Sequence, residues 1–333
     1  MSGYNAVGKL PPEILKSDVL KYGGAHRPEV VVGPGLGEDA ALIEWGDEPY
    51  LVVASDPVVG ASHGAGRLLA HINANDVACK GGEPAWFMAA LIVPASSGVE
   101  YVRLVMEEIH DACFALNIAV VGGHTELTDR YDHPVLVGTM MGHSCHDLRA
   151  DKICAGDALL ATKHAGLEGM SIIAHDRPDL LPFLSGAELN EVRSWQDGLS
   201  VLKEAQLLRD LASYMHDPTE GGIEGGILEI CASCGLDVDI SAGDIPISPL
   251  TGRAAEKIGF DPLHLISSGV LVAALPSGNV NEAMTRLDSA GVEAKVIGRF
   301  VERSNGTGKQ MDTHEELWRI LDLPKTNQHS NEL

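Results

Sequence analysis

Five short segments of this chain place carboxylate side chains beside glycine, proline or other small residues. They are residues 35–41, 55–57, 73–76, 122–126 and 216–222. Small residues allow backbone N–H groups to approach phosphate closely, and carboxylate oxygens are ligands that Mg²⁺ prefers. One such segment would indicate only a turn, whereas five in one chain predict a site for a nucleotide and the metal ions that accompany it.

Asp76 has the most unusual predicted environment. Residues 67–80 have the pattern of a helix that ends before Gly81. At about 100° per residue, one sector of roughly 100° on this helix contains two polar side chains among apolar ones, namely Leu68, Ile72, Asn75, Asp76 and Cys79. A buried charge needs a cation or strong hydrogen-bond donors. A polar clamp between helices would explain the helix equally well, but the flanking acidic segments favour a metal.

The candidate metal ligands are Asp39, Asp56, Asp76 and Glu126. Their carboxylates suit Mg²⁺, which commonly bridges substrate phosphates, and more than one ion could neutralise a triphosphate. Asp56 follows the predicted strand 50–54, a usual location for a ligand, although it could instead cap the turn at Pro57.

The glycine-rich loop at residues 33–41 could cradle phosphate. It is neither a Walker A motif nor a Rossmann fingerprint, because no Gly-Lys-Ser/Thr follows and the next predicted element is a strand. Taken alone, this loop favours an ordinary turn over a phosphate cradle.

The charge of the chain limits its partners. Its 333 residues carry 24 basic and 47 acidic side chains, a formal net charge of −23. Such a charge repels nucleic acid and anionic membranes, so we expect neither as a partner. The first residues lack the pattern of a secretion signal and no run of about 18 apolar residues is present, which predicts a cytoplasmic protein. The six cysteines fit reduced thiols rather than a disulfide framework.

The remaining pattern predicts an α+β chain of two domains with a polar tail at 324–333. The first domain, residues 1–150, has predicted helices at 11–22, 67–80 and 101–116 and strands at 30–32, 41–45, 50–54, 86–93, 119–121 and 135–141. The second, residues 151–323, has predicted helices at 167–175, 187–195, 199–215, 223–234, 280–290 and 315–321 and strands at 158–162, 238–240, 270–275 and 294–299. Ser97 with Glu100 predicts a capping box, and Thr313 is the predicted cap of the last helix.

In this order the segments resemble the superfamily of aminoimidazole ribonucleotide (AIR) synthase. That superfamily includes the hydrogenase maturation factor HypE, selenophosphate synthetase and thiamine-monophosphate kinase. Gly-Glu-Asp-Ala-Ala at 37–41 is similar to its Gly-Asp-Asp-Ala-Ala loop, Ser-Asp at 55–56 to its Thr-Asp strand end, and Asn-Asp at 75–76 to its Asn-Asp helix. Residues 217–222 and 267–269 look most like the HypE branch. The ordered combination, which spans most of the chain, is far more specific than any one segment.

The resemblance implies an N-terminal domain that forms a β-barrel shared by a homodimer, and an ATP site between it and a C-terminal α/β domain. It also implies that Mg²⁺-bound ATP phosphorylates an oxygen of a small-molecule substrate, often an amide or carbamoyl oxygen, with release of ADP and phosphate. A maturation protein is an expected partner.

The same resemblance assigns roles to individual residues. The implied ATP-binding set is Lys9, Gly37, Asp39, Asn75, Asp76, Gly122 and Gly123, with Asp56 serving the metal. Lys9 would belong to an N-terminal segment that folds over the nucleotide. The implied catalytic set is Asp217 and Thr219, on the second-domain face of the site, together with His124.

Three departures from the family pattern bear on activity. His124 stands where many relatives have an acid, and histidine is a poor Mg²⁺ ligand, so either Glu126 takes over or the metal site is altered. HypE transfers a carbamoyl group to a cysteine at its extreme C-terminus, whereas the last cysteine here is Cys234. Selenophosphate synthetase uses a Cys or selenocysteine near the N-terminus, and the first cysteine here is Cys79.

Two alternatives to an enzyme that activates a substrate oxygen therefore remain open. One is a non-catalytic, dimeric nucleotide-binding protein that acts as a scaffold or maturation partner. The other is a phosphotransferase like thiamine-monophosphate kinase, which the sequence Glu220-Gly221-Gly222 disfavours because those relatives usually have Asp-Gly there.

Overall fold

The computed structural model describes residues 12–14, 30–32, 35–38, 40–45, 48–58, 63–240, 242–303 and 314–324. Its strands are Val30–Val32 (β1), Ala41–Trp45 (β2), Glu48–Ala54 (β3), Pro57–Val58 (β4), Glu83–Pro94 (β5), Ala119–Thr128 (β6), Val135–Ser144 (β7), Ala158–Thr162 (β8), Tyr214–His216 (β9), Asp237–Ile240 (β10), Val272–Leu275 (β11) and Ala294–Val301 (β12). Its α-helices are Pro12–Ile14 (α1), Ala65–Cys79 (α2), Gly98–Ala115 (α3), Leu167–Asp176 (α4), Gly186–Ser194 (α5), Leu202–Leu208 (α6), Gly222–Cys234 (α7), Pro249–Ile258 (α8), Val280–Ser289 (α9) and Glu316–Leu321 (α10). The predicted mixture of helices and strands is confirmed.

The first sheet has the strand order β1-β2-β3-β7-β5-β6, and β4 pairs with β7. Strands β5 and β6 run parallel, and the other pairs are antiparallel. Burial alternates along β7, as expected where one face of a strand packs on a core. Helices α2 and α3 pack against this sheet, while β6 forms an edge and is exposed along almost its whole length.

Helix α2 is buried on nearly every side rather than along one stripe. All of its residues except Arg67 and His71 are buried. Small residues make this possible: a Cβ at Gly66 would lie 2.3 Å from the carbonyl oxygen of Val105, so only glycine allows α2 and α3 to approach so closely. The predicted sector with Asn75 and Asp76 is buried as expected, and most of the remaining helix surface is buried as well.

The second sheet is antiparallel, with the order β10-β12-β8-β11-β9. Its central strands β8 and β11 are buried at every position, because helices cover both faces. One face packs against α7, and the other packs against α6 and α9. The last turn of α2, at Ala78 and Cys79, packs into the apolar core formed by this sheet with α6 and α9. Helix α2 therefore connects the two sheets.

Several local predictions are wrong. The single helix predicted at 199–215 is a shorter helix, α6, followed by strand β9, because Tyr214, Met215 and His216 pair with β11. The Ser97 side chain makes no capping hydrogen bond, so the capping box is absent. The last helix is capped by Glu315, whose side chain accepts from the N–H of Leu317, while Thr313 lies outside the described residues. Helix α8 was not predicted.

None of the helices among the described residues is long and apolar enough to cross a lipid bilayer. The six cysteines are all free thiols, with Cys145 and Cys154 exposed and Cys79, Cys113 and Cys231 buried. As predicted, residues 231–234 close helix α7, which ends at Gly235 in the left-handed conformation (φ 76°).

Candidate functional site

A cleft of ≈ 380 Å³ lies between the two sheets and is lined by both halves of the chain. Its polar lining from the first half includes Glu38, Asp56 and Asp76, and from the second half it includes Glu168, Thr219, Glu220, Glu229 and Ser268. Acidic side chains thus face the cleft from both walls.

The glycine-rich loop lines the cleft and is held by side chains of the second half. Tyr214 donates a hydrogen bond from its hydroxyl to the carbonyl of Gly37, and Ser233 donates to the carbonyl of Leu36. Gly37 adopts a positive φ of 68°, and a Cβ there would lie 2.9 Å from the carbonyl oxygen of Glu229. Only glycine combines this backbone angle with so close an approach to α7.

A buried ion pair holds the next residue of the loop. The ammonium group of Lys80, whose side chain is fully buried, binds the carboxylate of Glu38. The Lys80 Nζ atom also lies 4.9 Å from the ring centroid of Tyr214, within range of a cation–π contact. Sequence reasoning missed this pair, because residues 38 and 80 meet only in the folded chain.

Asp56 follows strand β3 and lines the cleft. Its backbone N–H donates to Oδ1 of Asn73 at 2.9 Å, and Nδ2 of Asn73 donates to the carbonyls of Leu69 at 2.9 Å and Asp56 at 3.3 Å. A Cβ at Gly138 would lie 2.5 Å from that Nδ2 atom, so this glycine makes room for the amide. Asn73 is thus a positioning residue, although the sequence pattern at 73–76 pointed only to its neighbours Asn75 and Asp76.

The two polar residues predicted on α2 have different surroundings. Asp76 is 5% exposed and lines the cleft. Asn75 is fully buried: its Nδ2 donates to the carbonyl of Leu199 at 2.8 Å, and its Oδ1 accepts from the N–H of Val201 at 3.0 Å. Both ends of the Asn75 amide are thus used to join α2 to the segment before α6. This geometry is that of a polar clamp, the alternative to a metal site that the sequence left open for this helix. The ATP-binding role of Asn75 stays a prediction.

Asn75→Ala should lower the free energy of unfolding by about 2–4 kcal/mol, because two buried backbone groups would lose their partners. Urea unfolding followed by tryptophan fluorescence measures the change. Asn190→Ala, at an exposed position of α5, is the matched control and should be nearly neutral. A loss no larger than that of the control would contradict the clamp.

The segment after β9 contributes Thr219 and Glu220 to the cleft. Asp217, by contrast, is 1% exposed and lies behind it, with Oδ1 3.8 Å from Sγ of Cys79 at the end of α2. Next to it, Nε2 of His216 lies 3.2 Å from a carboxylate oxygen of Glu229. Thr219 is therefore placed to meet a ligand directly, and Asp217 is placed where the two halves of the chain join.

Residues 122–126 belong to strand β6, so the strand predicted at 119–121 was too short. Strand β6 needs Gly123 because a Cβ there would lie 2.1 Å from the carbonyl oxygen of Ala89 on β5. His124 and Glu126 are exposed, with Nε2 and Oε2 3.2 Å apart, as side chains two residues apart on one strand face can be. Gly122, Gly123, His124 and Glu126 do not line the cleft within one chain.

Two predicted site residues, Lys9 and Asp39, lie outside the described residues. Among the residues that the structure describes, no group of three or more His, Cys, Asp or Glu side chains is arranged to hold a metal ion. Mg²⁺ usually takes one or two protein carboxylates and completes its shell with water and substrate phosphates. Asp56 and Asp76 on one wall of the cleft fit that mode of binding.

Two carboxyl groups of the second half of the chain have a pKa raised by burial, and one of them, Glu168, lines the cleft. Burial raises the pKa of Glu168 to about 7, and the neighbouring Ser268 opposes this rise in part. Burial also raises the pKa of Glu315 to about 7, although the N–H groups of Gly221, Ile266 and Leu317 all donate to it. Sequence reasoning selected neither residue, because nothing in the local pattern distinguishes them from surface acids.

Both halves of the chain match domains of one known protein family. Residues 37–144 match the family described as AIR synthase related protein, N-terminal domain, and residues 155–309 match its C-terminal domain. The chain therefore belongs to the AIR synthase-related family. It is 27% identical over 299 residues to the carbamoyl dehydratase HypE of Escherichia coli strain K12. The aligned region covers 86% of this chain and 84% of that protein.

Solved structures show the same fold. The crystal structure of E. coli HypE matches with a TM-score of 0.71 at 24% identity, over 88% of this chain and 95% of that one. The hydrogenase maturation protein HypE in complex with ATP matches with a TM-score of 0.65 at 18% identity, over 92% and 91%. HypE in its complex with HypF matches with a TM-score of 0.66 at 19% identity, over 80% and 88%.

Proposed function

We propose that this protein is an enzyme that binds Mg²⁺-ATP in the cleft and phosphorylates an oxygen of a small substrate, with release of ADP and phosphate. The observation that carries the proposal is the cleft itself, which brings Asp56 and Asp76 to one wall and Thr219 to the other. The relatives support it, since one is named a carbamoyl dehydratase and a related HypE structure contains ATP.

In this proposal, Mg²⁺ draws charge from the phosphates when bound. Asp56 and Asp76 would hold it, with Asp39 as the further predicted ligand. The loop at 35–38 lines the same cleft as these acids, and its glycine-rich backbone would contact the phosphates. Thr219 would orient the reacting groups from the opposite wall. Excluding water from such a cleft strengthens each of these interactions.

Isothermal titration with Mg²⁺-ATP, followed by phosphate-release assays with amides, carbamoyl compounds and phosphorylated metabolites, tests the proposal. Nucleotide binding with substrate-stimulated phosphate release supports an enzyme. Binding without turnover on any compound would favour the scaffold, and transfer to a phosphorylated acceptor would favour the kinase-like alternative. No binding at saturating nucleotide would overturn the proposal.

A homodimer formed through the edge of the first sheet is part of the same proposal. Strand β6 exposes unpaired backbone groups and apolar side chains, with Val121 52% exposed and Leu127 44% exposed. Neighbouring β5 adds Trp86 and Met88, each 40% exposed. Exposed edge strands with apolar side chains are typical of interfaces. The proposed site roles of His124 and Glu126 would then be exercised at the contact between two copies.

Val121→Asp should convert this dimer to a monomer, because a charge placed in the interface would lose its hydration without gaining a partner. Size-exclusion chromatography with light scattering measures the change as a fall to the chain mass of 35.3 kDa. Ala187→Asp, at an exposed position of α5, is the control for added charge and should leave the mass unchanged. A monomeric wild-type protein would contradict the dimer. The HypE–HypF complex supports a further partner, a maturation protein.

A further inference from the structure

Glu168 is a buried polar group that the proposed function does not use. It lies in the first turn of α4, is 3% exposed and lines the cleft. Its Oε2 atom has no hydrogen-bond partner among the residues that the structure describes. Nearly all buried polar atoms in native proteins have a partner, so an orphaned oxygen on a residue that lines the cleft points to a partner beyond the described residues, such as a bound ligand.

The surrounding backbone holds Glu168 in place. The N–H of Gly166 donates to Oγ of Ser267 at 2.8 Å, and the N–H of Gly169 donates to the carbonyl of Ile266 at 3.1 Å. A Cβ at Gly169 would lie 2.5 Å from the side chain of Leu265. The start of α4 is thus tied to the segment 265–269, which also places Ser268 beside the carboxyl group. A site supported in this way needs little rearrangement to bind a ligand.

Helix α10 brings a second orphaned group to the same cleft. Trp318 lines the cleft, and its indole N–H is buried with no hydrogen-bond acceptor among the described residues. Arg177, which is 5% exposed, fixes the end of this helix by donating to the carbonyls of Leu321 at 2.6 Å and Leu323 at 2.8 Å. The cleft therefore offers an acceptor at Glu168 and a donor at Trp318.

The charge and polarity around these two groups limit what can bind. Glu220 and Glu315 both interact unfavourably with the charge on Glu168, so a further anion would meet repulsion from this wall. Ile172, Ile266 and Leu317 complete the lining and offer apolar contact. A ligand that fits has an N–H donor for Glu168, an oxygen for the indole of Trp318 and an apolar body.

We propose that Glu168, Ser268 and Trp318 form the acceptor-substrate subsite, which selects a small N–H-bearing molecule with an apolar body and rejects carboxylates and phosphates. The inference rests on the proposed function, in which the nucleotide occupies the first-domain side of the cleft. Glu168 accepts the substrate N–H, Trp318 donates to the substrate oxygen, and the acidic wall excludes anions. The subsite thus separates the proposed enzyme from a kinase that acts on a phosphorylated acceptor.

The test is a titration of Trp318 fluorescence with four compounds that share one apolar body. They are N-methylisovaleramide, methyl isovalerate, isovalerate and isoamyl phosphate, and each is titrated with and without Mg²⁺ and a nonhydrolysable ATP analogue. The amide and the ester differ only in that the N–H group of the amide is replaced by an oxygen atom in the ester. We expect the amide to bind about tenfold more tightly than the ester, and the two anions to bind more weakly still. Because the chain has four tryptophans, Trp318→Phe identifies the signal.

Variants of Glu168 separate recognition from folding. Glu168→Met should remove the preference for the amide, whereas Glu168→Gln, which keeps an acceptor oxygen, should retain it. Glu256→Met, at an exposed position of α8, is the matched control and should behave as wild type. Equal binding of amide and ester, tighter binding of an anion, or an unchanged preference in Glu168→Met would each overturn the inference. Failure of the ATP analogue to bind would overturn the proposed function instead, since the titration without nucleotide tests the subsite by itself.

Discussion

Asp76→Asn is expected to weaken Mg²⁺-ATP binding by about 100-fold, or about 3 kcal/mol, and to abolish substrate-stimulated phosphate release. Asp76 is 5% exposed on a helix buried on almost all sides, and it reaches the cleft beside Asp56. An amide of the same shape keeps the packing but removes the negative charge that Mg²⁺ requires. Isothermal titration measures the affinity, and a malachite-green assay measures the phosphate.

The matched control for this variant is Asp111→Asn on the exposed face of α3, which should bind nucleotide as wild type does. Circular dichroism of each variant shows whether the fold is retained, so that a loss of binding can be assigned to the site. Wild-type affinity in folded Asp76→Asn protein would contradict a metal-binding role for this carboxylate. It would also remove the main support for placing the phosphates against the first-domain wall.

Lys80→Met is expected to lower the free energy of unfolding by about 3–5 kcal/mol, because removal of one partner leaves the other charge of a buried ion pair without compensation. The Lys80 side chain is fully buried, that of Glu38 is 15% exposed, and the pair lies where the glycine-rich loop meets Tyr214. The loop carries the backbone proposed to contact phosphate, so nucleotide affinity should fall together with stability. Urea unfolding and isothermal titration measure the two effects.

A double-mutant cycle identifies the cause. If the loss arises from an uncompensated carboxylate, Lys80→Met combined with Glu38→Gln should be more stable than Lys80→Met alone. Lys257→Met, at an exposed position of α8, is the matched control and should change stability by no more than about 0.5 kcal/mol. Additive losses in the double variant would show that the pair does not couple.

The local pattern was sufficient wherever an element's own residues decide its structure. The apolar runs at β8 and β11 predicted strands because central strands are buried on both faces, and the helix predicted at 223–234 ends where α7 ends. The same reasoning failed at β9, where residues with a helical pattern form a strand because β11 offers them backbone hydrogen bonds. It also missed α8, whose sequence begins with Pro249 and contains Gly252.

The candidate site shows a similar division. Residue types and their order predicted an acidic, glycine-rich site, and Asp56, Asp76, Thr219 and Gly37 do line one cleft. The sequence could not show that both ends of the Asn75 amide are hydrogen-bonded to Leu199 and Val201, because those residues are distant in the chain. Nor could it show that His124 lies on an exposed edge strand.

By itself, the sequence determined the family pattern, the alternation of helices and strands and the acidic chemistry, because these depend on residue type and short spacing. The tertiary structure alone decided which acids share a cleft, that Lys80 meets Glu38, and that Glu168 and Trp318 face the same space. The physical reason is that burial and hydrogen-bond partnership depend on neighbours far along the chain. A carboxylate becomes a ligand, a clamp or a surface charge according to what folding places beside it.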